Sequence, residues 1–273
     1  MTTPKVIVLG VSADIGSRIC ELYQRDGAFV VGTYRNDFAG REYLEKLSGV
    51  SLIQCDLTRR EDMIRLSEFV GSSGFRWNVL FSSVGTSEPI GRFFELDFDD
   101  WERSVHVNMI SQLRAIHALY PMRDSSRTVD IALLAGGGTN NPFRCYSAYC
   151  VSKIGLIKMC ELLDDEADDV NAFILGPGFV KTKTHYETLR AGAKAEGNLG
   201  RVQEFMSSAE NGTPFEEIYA CIEWSRCVGR TVVGGRNIAI VHDDWGTEEL
   251  ARQLESDKDM YKLRRFRNNW SLA

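Results

Sequence analysis

The sequence contains little of what builds metal centres, disulfide frameworks or nucleic-acid surfaces. Its 273 residues include only four histidines, and its seven cysteines are scattered without a Cys-x-x-Cys pair. These features predict reduced thiols in a cytoplasmic protein and no metal site. The formal net charge is −6, which disfavours a nucleic-acid partner because proteins that bind nucleic acids carry a basic face.

Long hydrophobic runs are also missing. No apolar stretch reaches the length of a membrane span, and the N-terminal residues Met-Thr-Thr-Pro-Lys lead directly into a strand pattern. We therefore expect no membrane segment and no signal peptide. Hydrophobic residues make up 44% of the chain and charged residues 26%, proportions that are typical of a soluble globular protein with a sizeable core.

Strand and helix patterns alternate along the whole chain. The predicted strands cover residues 5–9, 28–34, 50–54, 77–81, 129–134, 170–175 and 237–241. The helical patterns between them include residues 60–70, 99–120 and 214–226. This alternation predicts an α/β fold, with a Rossmann-like, doubly wound parallel sheet flanked by helices. Because no linker or repeat interrupts the pattern, we predict a single domain over residues 1–273.

The first predicted strand runs into the turn Gly10-Val-Ser-Ala-Asp-Ile-Gly16, and a helical pattern follows. A strand, a glycine turn and a helix in this order are the setting of a dinucleotide phosphate loop. Gly10 permits a tight turn and Gly16 permits close packing, while free N–H groups at the helix N-terminus suit a pyrophosphate. An ordinary βα turn is the alternative that this segment alone leaves open.

Several other predicted strands end at residues that suit a ligand. Ligands of doubly wound sheets bind beyond the carboxyl ends of the strands. The residues that the sequence places there are Gly10, Arg35, Asp56, Ser83, Ala135 and Pro177. Arg35 stands where an acidic residue would bind the ribose of NAD, so it favours the 2′-phosphate of NADP; a solvated surface arginine is the alternative. Asp56 suits an adenine amino group, the N-cap of the helix over 60–70, or both.

Tyr149 and Lys153 stand four residues apart, which places them one helical turn from each other. A nearby ammonium lowers the pKa of a phenol, and such a pair serves as a general acid and base near neutral pH. Because this spacing is common by chance, the alternative is a half-buried tyrosine beside a surface lysine. A cofactor site at the strand ends favours the catalytic interpretation.

Together these motifs resemble the short-chain dehydrogenase/reductase family over residues 4 to about 242. The resemblance implies an NADP-dependent oxidoreductase that transfers hydride between nicotinamide and a small-molecule carbonyl or alcohol. Contacts with NADP(H) are implied for Gly10, Ser12, Asp14, Ile15, Gly16, Arg35, Asp56, Leu57, Ser83, Gly85, Tyr149, Lys153, Pro177, Gly178 and Thr182. The implied catalytic roles are proton donation for Tyr149, lowering of its pKa and ribose binding for Lys153, and ordering of a water for Asn108.

The chain departs from the family pattern in three places. Asp14 replaces the middle glycine of the loop, and Ser82 and Ser83 replace two asparagines that tie neighbouring strands. The family's active-site serine is missing, because its position falls on Ala135 or Gly136. The groups that would replace its hydroxyl are Thr139, Ser147 or a backbone N–H of residues 136–138.

The missing serine leaves a second function open. Loss of one donor to the reacting oxygen typically costs about 10²–10³ in rate. That loss would weaken an enzyme without abolishing its activity. The alternative is therefore a catalytically weakened NADP-binding protein that acts as a sensor or an assembly subunit.

Residues 179–213 are polar and lack a clear apolar period, so we predict a mobile substrate lid there, with residues 243–273 as a C-terminal tail. Basic residues in both segments would attract an anion to the pocket. They are Lys181, Lys183, His185, Arg190, Lys194, Lys262, Arg264, Arg265 and Arg267. These residues favour an anionic substrate, such as the diphosphate of a nucleotide sugar, over a steroid or a fatty aldehyde. The predicted substrate is a sugar or nucleotide sugar, and the tail faintly resembles reductases of bacterial surface-polysaccharide clusters. We also expect a homodimer or homotetramer.

Overall fold

The computed structural model describes residues 3–209 and 212–265. Within them, seven parallel strands form one sheet in the order β3-β2-β1-β4-β5-β6-β7. The strands are β1 (Lys5–Leu9), β2 (Phe29–Tyr34), β3 (Val50–Gln54), β4 (Val79–Ser82), β5 (Val129–Leu134), β6 (Val170–Gly176) and β7 (Asn237–Ala239). The strand order reverses between β1 and β4, which confirms the predicted doubly wound parallel sheet.

Helices cover both faces of this sheet. They are α1 (Asp14–Arg25), α2 (Arg41–Lys46), α3 (Arg60–Ser72), α4 (Phe98–Val105), α5 (Ser111–Leu119), α6 (Ser147–Glu166), α7 (Lys183–Ala191), α8 (Gly197–Ser207), α9 (Phe215–Val228), α10 (Arg230–Val233) and α11 (Glu248–Ser256). Helices α1, α9, α10 and α11 contribute to the apolar cluster on one face, and α3, α5 and α6 to the cluster on the other. No helix of residues 3–209 or 212–265 is long and apolar enough to cross a bilayer.

Burial on both faces explains why the strands are recognisable in the sequence. Successive side chains of a strand point to opposite faces of the sheet. In β1, Val6 and Val8 pack into one apolar cluster, whereas Ile7 and Leu9 pack into the other. Strands that are covered on both sides consist of continuous apolar runs rather than alternating ones, and these runs mark the strands in the sequence.

Two strand boundaries differ from the predictions by two residues, and three others differ by one. Strand β4 begins at Val79 instead of residue 77, because the buried Trp77 indole donates a hydrogen bond to the Leu119 carbonyl at 2.8 Å and Trp77 forms only an isolated bridge. Strand β7 ends at Ala239 instead of residue 241. The Ala239 N–H donates to the carboxylate of Asp243 at 2.7 Å, and the chain turns there.

Two helical segments also differ from the predictions. The helix expected over residues 99–120 is divided into α4, a π-helical turn (His106–Ile110) and α5. Residues 179–213, which lack a clear apolar period, contain α7 and α8. The residues that α7 buries are the polar Glu187 and Thr188, so a search for buried apolar residues misses this helix.

Candidate active site

Two neighbouring cavities lie along the carboxyl ends of the strands. The larger has a volume of about 890 Å³, and its lining includes the predicted residues Gly10, Ser12, Arg35, Asp56, Leu57, Ser83 and Gly85. The smaller has a volume of about 150 Å³, and its lining includes Asp14, Ile15, Ser83, Gly85, Tyr149, Lys153, Pro177, Gly178 and Thr182. The structure thus brings together nearly all the predicted site residues; Gly16 and Asn108 lie behind the cavity walls.

The glycine turn after β1 packs closely against α1 and the end of β4 because two side chains are missing. Gly10 has a φ of +84°, a conformation that favours glycine, and a Cβ on Gly16 would lie 2.2 Å from the Gly10 carbonyl oxygen. Helix α1 begins at Asp14, and no side chain caps its N-terminus. Its first N–H groups are therefore available to an anion, and the positive end of the helix dipole points toward it.

Ser82 and Ser83 tie neighbouring elements, as the asparagines of the family pattern would. The Ser83 hydroxyl donates to the Gly10 carbonyl at 2.8 Å, which joins the end of β4 to the glycine turn. The Ser82 hydroxyl donates to the Gln112 side chain at 2.6 Å. Two short hydroxyl side chains therefore hold β4 against the glycine turn and against α5.

Asp14 joins the glycine turn to the segment that was predicted to be a lid. Its carboxylate accepts a hydrogen bond of 2.9 Å from the backbone N–H of Lys183, the first residue of α7. A glycine at position 14 has no side chain for this contact. The replacement of the middle glycine therefore links the two walls of the smaller cavity.

Three arginines surround a further cavity beside Asp56. This cavity, of about 370 Å³, is lined by Arg35, Asn36, Gln54, Asp56, Arg59, Asp62 and Arg65. Arg65 forms an ion pair with Asp62 at 2.6 Å. Neither Arg35 nor Arg59 forms an ion pair within the part of the chain that the structure describes, so both guanidinium groups are available to an anion.

Asp56 does not cap α3, which was one of its two predicted roles. The residue at the N-cap is Arg59, and Asp56 accepts hydrogen bonds from the backbone N–H and the hydroxyl of Thr58 at 3.0 and 2.7 Å. The Asp56 N–H in turn donates to the carboxylate of Asp62 at 2.8 Å. Asp56 thus forms the turn that leads into α3, while its side chain still borders the cavity.

Asn108 lies in the π-helical turn and is fully buried. Its side-chain oxygen accepts from the Thr86 N–H at 2.9 Å, and its amide donates to the Thr86 carbonyl at 2.9 Å and to the Ser104 hydroxyl at 3.1 Å. These bonds occupy the side chain and fix the loop that follows β4. Asn108 therefore shapes the wall beside Lys153, and its role in ordering a water stays a prediction.

Tyr149 and Lys153 lie on the first turns of α6 and face the smaller cavity. The Lys153 ammonium donates to the Leu134 carbonyl at 2.8 Å and lies 5.7 Å from the centre of the Tyr149 ring. Burial lowers the pKa of Lys153 to about 8. Burial also raises the pKa of Tyr149, with smaller contributions from Cys150 and Glu187. Desolvation of the phenol is thus the main influence on this pKa, and a lowering of it by Lys153 stays a prediction.

The structure shows why the position thirteen residues before Tyr149 lacks a side chain. A Cβ on Gly136 would lie 2.1 Å from the Tyr149 hydroxyl oxygen and 2.4 Å from the carbon that bears it. The phenol therefore occupies the volume that a serine would need. Of the groups considered as replacements, Thr139 donates its hydroxyl proton to the Gly136 carbonyl at 3.4 Å, whereas Ser147 accepts from the Trp101 indole at 3.0 Å.

The segment over residues 179–213 is bonded to the rest of the molecule at several points. Besides Asp14 with Lys183, the contacts are Ser87 with Glu187, Tyr146 with Thr188, Glu88 with Arg190, and Arg92 and Arg144 with Glu196. The structure thus shows two helices held over the cavities rather than an unstructured loop. Its mobility stays a prediction.

The predicted basic residues divide into two groups. Lys183, Arg190 and Lys194 line the larger cavity, and His185 lines the smaller one, whereas Lys181 donates to the Ser208 carbonyl at 2.7 Å. In the tail, Arg264 pairs with Glu161 and Asp259. Glu161 lies twelve residues beyond Tyr149 on α6, roughly 18 Å along the helix, so the prediction that Arg264 supports the pocket is wrong. Arg267 lies outside the described residues.

Sequence reasoning missed Thr86, Ser87 and Glu187. Thr86 lines both cavities, and Glu187, a residue that is 8% exposed, lines the larger one. The position of Thr86, next to Gly85 at the end of β4, was a usable signal. Glu187 gave none, because its helix shows no apolar period.

Comparisons with known proteins agree with this geometry. A family model described as short chain dehydrogenase matches residues 4–191. Benzil reductase ((S)-benzoin forming) of Saccharomyces cerevisiae is 26% identical over 190 residues, which cover 65% of this chain and 72% of that protein. L-fucose dehydrogenase of Oryctolagus cuniculus is 24% identical over 266 residues, which cover 91% of this chain and 88% of that protein.

Solved structures agree on the fold. A short-chain dehydrogenase of Shigella flexneri 2a, complexed with NADP, superposes with a TM-score of 0.73. The two proteins are 18% identical, and the match covers 88% of this chain and 98% of the other. At this identity the likeness concerns the fold alone.

Proposed function

The chain belongs to the short-chain dehydrogenase family, and from this premise we propose that it is an NADP-dependent oxidoreductase whose substrate is a sugar or nucleotide sugar. Family membership makes it a dehydrogenase or reductase that uses a nicotinamide cofactor. The observation that carries the proposal is the convergence of Tyr149, Lys153 and the glycine turn on adjoining cavities.

The residues present fit a dinucleotide. The glycine turn borders the larger cavity, and α1 has the uncapped N-terminus that a pyrophosphate needs. Arg35 and Arg59 would hold a 2′-phosphate, because both line one cavity and charge-assisted hydrogen bonds to phosphate are strong. Lys153 would bind the ribose. When bound, NADP(H) supplies or accepts the hydride.

Tyr149 is suited to give a proton to a carbonyl oxygen. Burial raises the pKa of its phenol, so the group carries its proton at neutral pH. Lys153 is held by the Leu134 carbonyl and would stabilise the phenolate that forms when the proton leaves.

The proposed substrate class rests on the polar wall of the larger cavity, formed by charged side chains of α7, and on the activities for which two relatives are named. Charged side chains of α7 border the larger cavity, including Lys183 and Arg190. One relative is an L-fucose dehydrogenase and another a benzil reductase, so related sites accept a sugar or an aryl ketone. The polar wall favours the sugar for this chain.

A catalytically weakened NADP-binding protein is the second candidate. The observation that favours it is Gly136, since no hydroxyl at this position can donate to the reacting oxygen. The two candidates share the cofactor site and differ in turnover. Steady NADPH oxidation with any carbonyl compound supports the enzyme, whereas binding without turnover supports the sensor or assembly subunit.

The cofactor preference is tested by fluorescence titration of the protein with NADPH and NADH. We expect NADPH to bind at least tenfold more tightly than NADH, which corresponds to a difference in binding free energy on the order of 1.4 kcal/mol. Arg35→Ala should reduce this difference, while Arg76→Ala, an exposed arginine that lines none of these cavities, should preserve it. Equal affinity of the unmodified protein for the two cofactors would contradict the proposal.

A further inference from the structure

Glu187 presents a buried carboxylate oxygen to the larger cavity. The residue is 8% exposed and lines that cavity from α7. Its Oε2 accepts from the backbone N–H and from the hydroxyl of Ser87, each at 2.7 Å. Its Oε1 accepts no hydrogen bond within residues 3–209 and 212–265, and protein atoms do not seal it off. This oxygen therefore faces the cavity.

Glu187 also lacks a neutralising partner. No lysine, arginine or histidine of the described chain forms an ion pair with it, and its neighbour on the same helix, Arg190, pairs with Glu88 at 3.2 Å. A largely buried carboxylate is costly unless it is hydrogen-bonded. One of its oxygens meets this need through Ser87, and the other is left for a group that enters the cavity.

The position of Glu187 relates it to the reacting centre. Ser87 follows Thr86, which lines the same small cavity as Tyr149. The next residue on α7, Thr188, is hydrogen-bonded at 2.9 Å to Tyr146, which directly precedes α6. The negative charge of Glu187 acts on the Tyr149 phenol as well, although burial is the main reason for the raised pKa. A substrate at Tyr149 that extends toward α7 would meet Glu187.

We propose that Glu187 Oε1 accepts a hydrogen bond from a hydroxyl group of the substrate, so that the enzyme selects neutral polyhydroxylated carbonyl compounds and alcohols over apolar ones. A hydroxyl donor satisfies the carboxylate through a charge-assisted hydrogen bond and brings no second charge into the cavity. A phosphate at this point would place two negative charges together, which is unfavourable. This inference rests on the proposed oxidoreductase function and narrows its substrate to the sugar portion.

The test compares two substrates in the unmodified protein and in Glu187→Gln. The substrates are L-fucose, oxidised with NADP⁺, and benzil, reduced with NADPH; D-glucose serves as a second neutral aldose. The glutamine keeps the shape of the side chain and an oxygen that can accept from Ser87, but it removes the charge. We expect the ratio of kcat/KM for L-fucose to that for benzil to fall about tenfold, chiefly through KM, because one hydrogen bond to a charged group is weakened.

Two further variants make the result specific. Glu204→Gln alters an exposed carboxylate on α8 that lines neither of the two adjoining cavities, and it should leave the ratio unchanged. Ser87→Ala removes one of the two bonds to Oε2 and should lower the ratio in the same direction, by less than Glu187→Gln. It also provides the test if Glu187→Gln does not fold.

The outcomes separate this inference from the proposed function. If Glu187→Gln lowers kcat/KM for both substrates equally, Glu187 is only structural and the inference is overturned. Reduction of benzil without oxidation of either aldose also overturns it, while the oxidoreductase proposal stands. Turnover of none of these compounds by a protein that binds NADPH overturns the proposed function, and the inference with it.

Discussion

Gly136 sets the position of the Tyr149 phenol, because the hydroxyl oxygen would lie 2.1 Å from any Cβ at residue 136. We predict that Gly136→Ala displaces the phenol and lowers kcat/KM for carbonyl reduction by about 10², the typical cost of misplacing a catalytic group by an ångström. Gly136→Ser, which restores the hydroxyl of the family pattern, should be no better. NADPH affinity should change little, because Gly136 lines neither of the two adjoining cavities.

The matched control for Gly136 is Gly137→Ala. An added Cβ there would lie 3.2 Å from the ring of Phe143, which can move aside, so most of the activity should remain. Steady-state NADPH oxidation with benzil measures both variants. A Gly136→Ser variant more active than the unmodified protein would show that the phenol is not held where the structure places it.

Lys153 makes cofactor binding dependent on pH. Burial lowers the pKa of its ammonium from 10.5 to about 8, so the free protein loses this charge as the pH rises through about 8. We predict that the Kd for NADPH increases between pH 7 and pH 10, because only the charged form donates all its hydrogen bonds to the ribose. Lys153→Arg stays charged over this range, and its Kd should show no such step.

Lys153 also affects the stability of the fold, and the direction of this effect follows from its lowered pKa. Between the folded pKa of about 8 and the ordinary value of 10.5, the unfolded chain binds more protons than the folded protein. The contribution of Lys153 to the free energy of unfolding therefore rises with pH across this window. As the pH rises, the affinity for NADPH therefore falls, while the contribution of Lys153 to the free energy of unfolding rises. General alkaline unfolding would lower both, so the two effects can be told apart.

At the scale of elements, the contact between Asp14 and Lys183 joins α1 to α7 across the smaller cavity. We predict that Asp14→Ala frees the N-terminus of α7, so that its first amides exchange hydrogen several times faster. The reason is that loss of one partly exposed hydrogen bond lowers the free energy of protection by on the order of 1 kcal/mol. Hydrogen-exchange mass spectrometry of the peptide that covers α7 measures this change.

Asp14→Asn is the control for this contact, because its amide oxygen can still accept from the Lys183 N–H. Its exchange should lie close to that of the unmodified protein. If Asp14→Ala leaves the exchange of α7 unchanged while the rest of the protein is intact, the carboxylate does not hold this helix, and the other contacts of α7 suffice.

The sequence predicts the strands far better than α7. Residues such as Ile7 and Leu9 belong to runs buried on both faces, and the runs reveal both the strand and the residues at its carboxyl end. Helix α7 buries Glu187 and Thr188, whose partners Ser87 and Tyr146 lie far away in the chain. No local pattern records such contacts, so the carboxylate in the cavity wall could not be predicted.

Long-range contacts also explain the wrong prediction for the tail. Arg264 is basic and lies near the end of the described chain, but its partner Glu161 is at the far end of α6 from Tyr149. The buried Arg236 holds this segment by donating to the carbonyls of Leu254, Asp257 and Met260. Charge composition reports that a segment is basic, but only the fold determines what it faces.

At the scale of the whole molecule, exposed aromatic side chains support the expected self-association. Phe93, Phe94, Phe98 and Trp101 form a cluster with ring centres 5.2–6.4 Å apart, and Phe94 is 96% exposed. Such a patch is costly in water and marks an interaction surface. We predict a homodimer or larger homo-oligomer that covers this cluster.

Light scattering after size-exclusion chromatography tests this prediction. Phe94→Asp should weaken the oligomer, so that on dilution it dissociates at a higher protein concentration than the unmodified protein does. Tyr43→Asp, which alters an exposed aromatic residue on α2, should have no such effect. A protein that is monomeric at all concentrations would contradict the expectation of a homodimer or homotetramer.

The central claim is that this chain performs carbonyl reduction with Tyr149 as its proton donor. The most direct measurement is the rate of NADPH oxidation by the unmodified protein and by Tyr149→Phe with the same carbonyl substrate, with NADPH binding followed in parallel by fluorescence. The account predicts turnover by the unmodified protein, and loss of turnover in Tyr149→Phe with nearly intact NADPH binding. A Tyr149→Phe variant that retains most of the activity would contradict the account, because the proton would then come from another group.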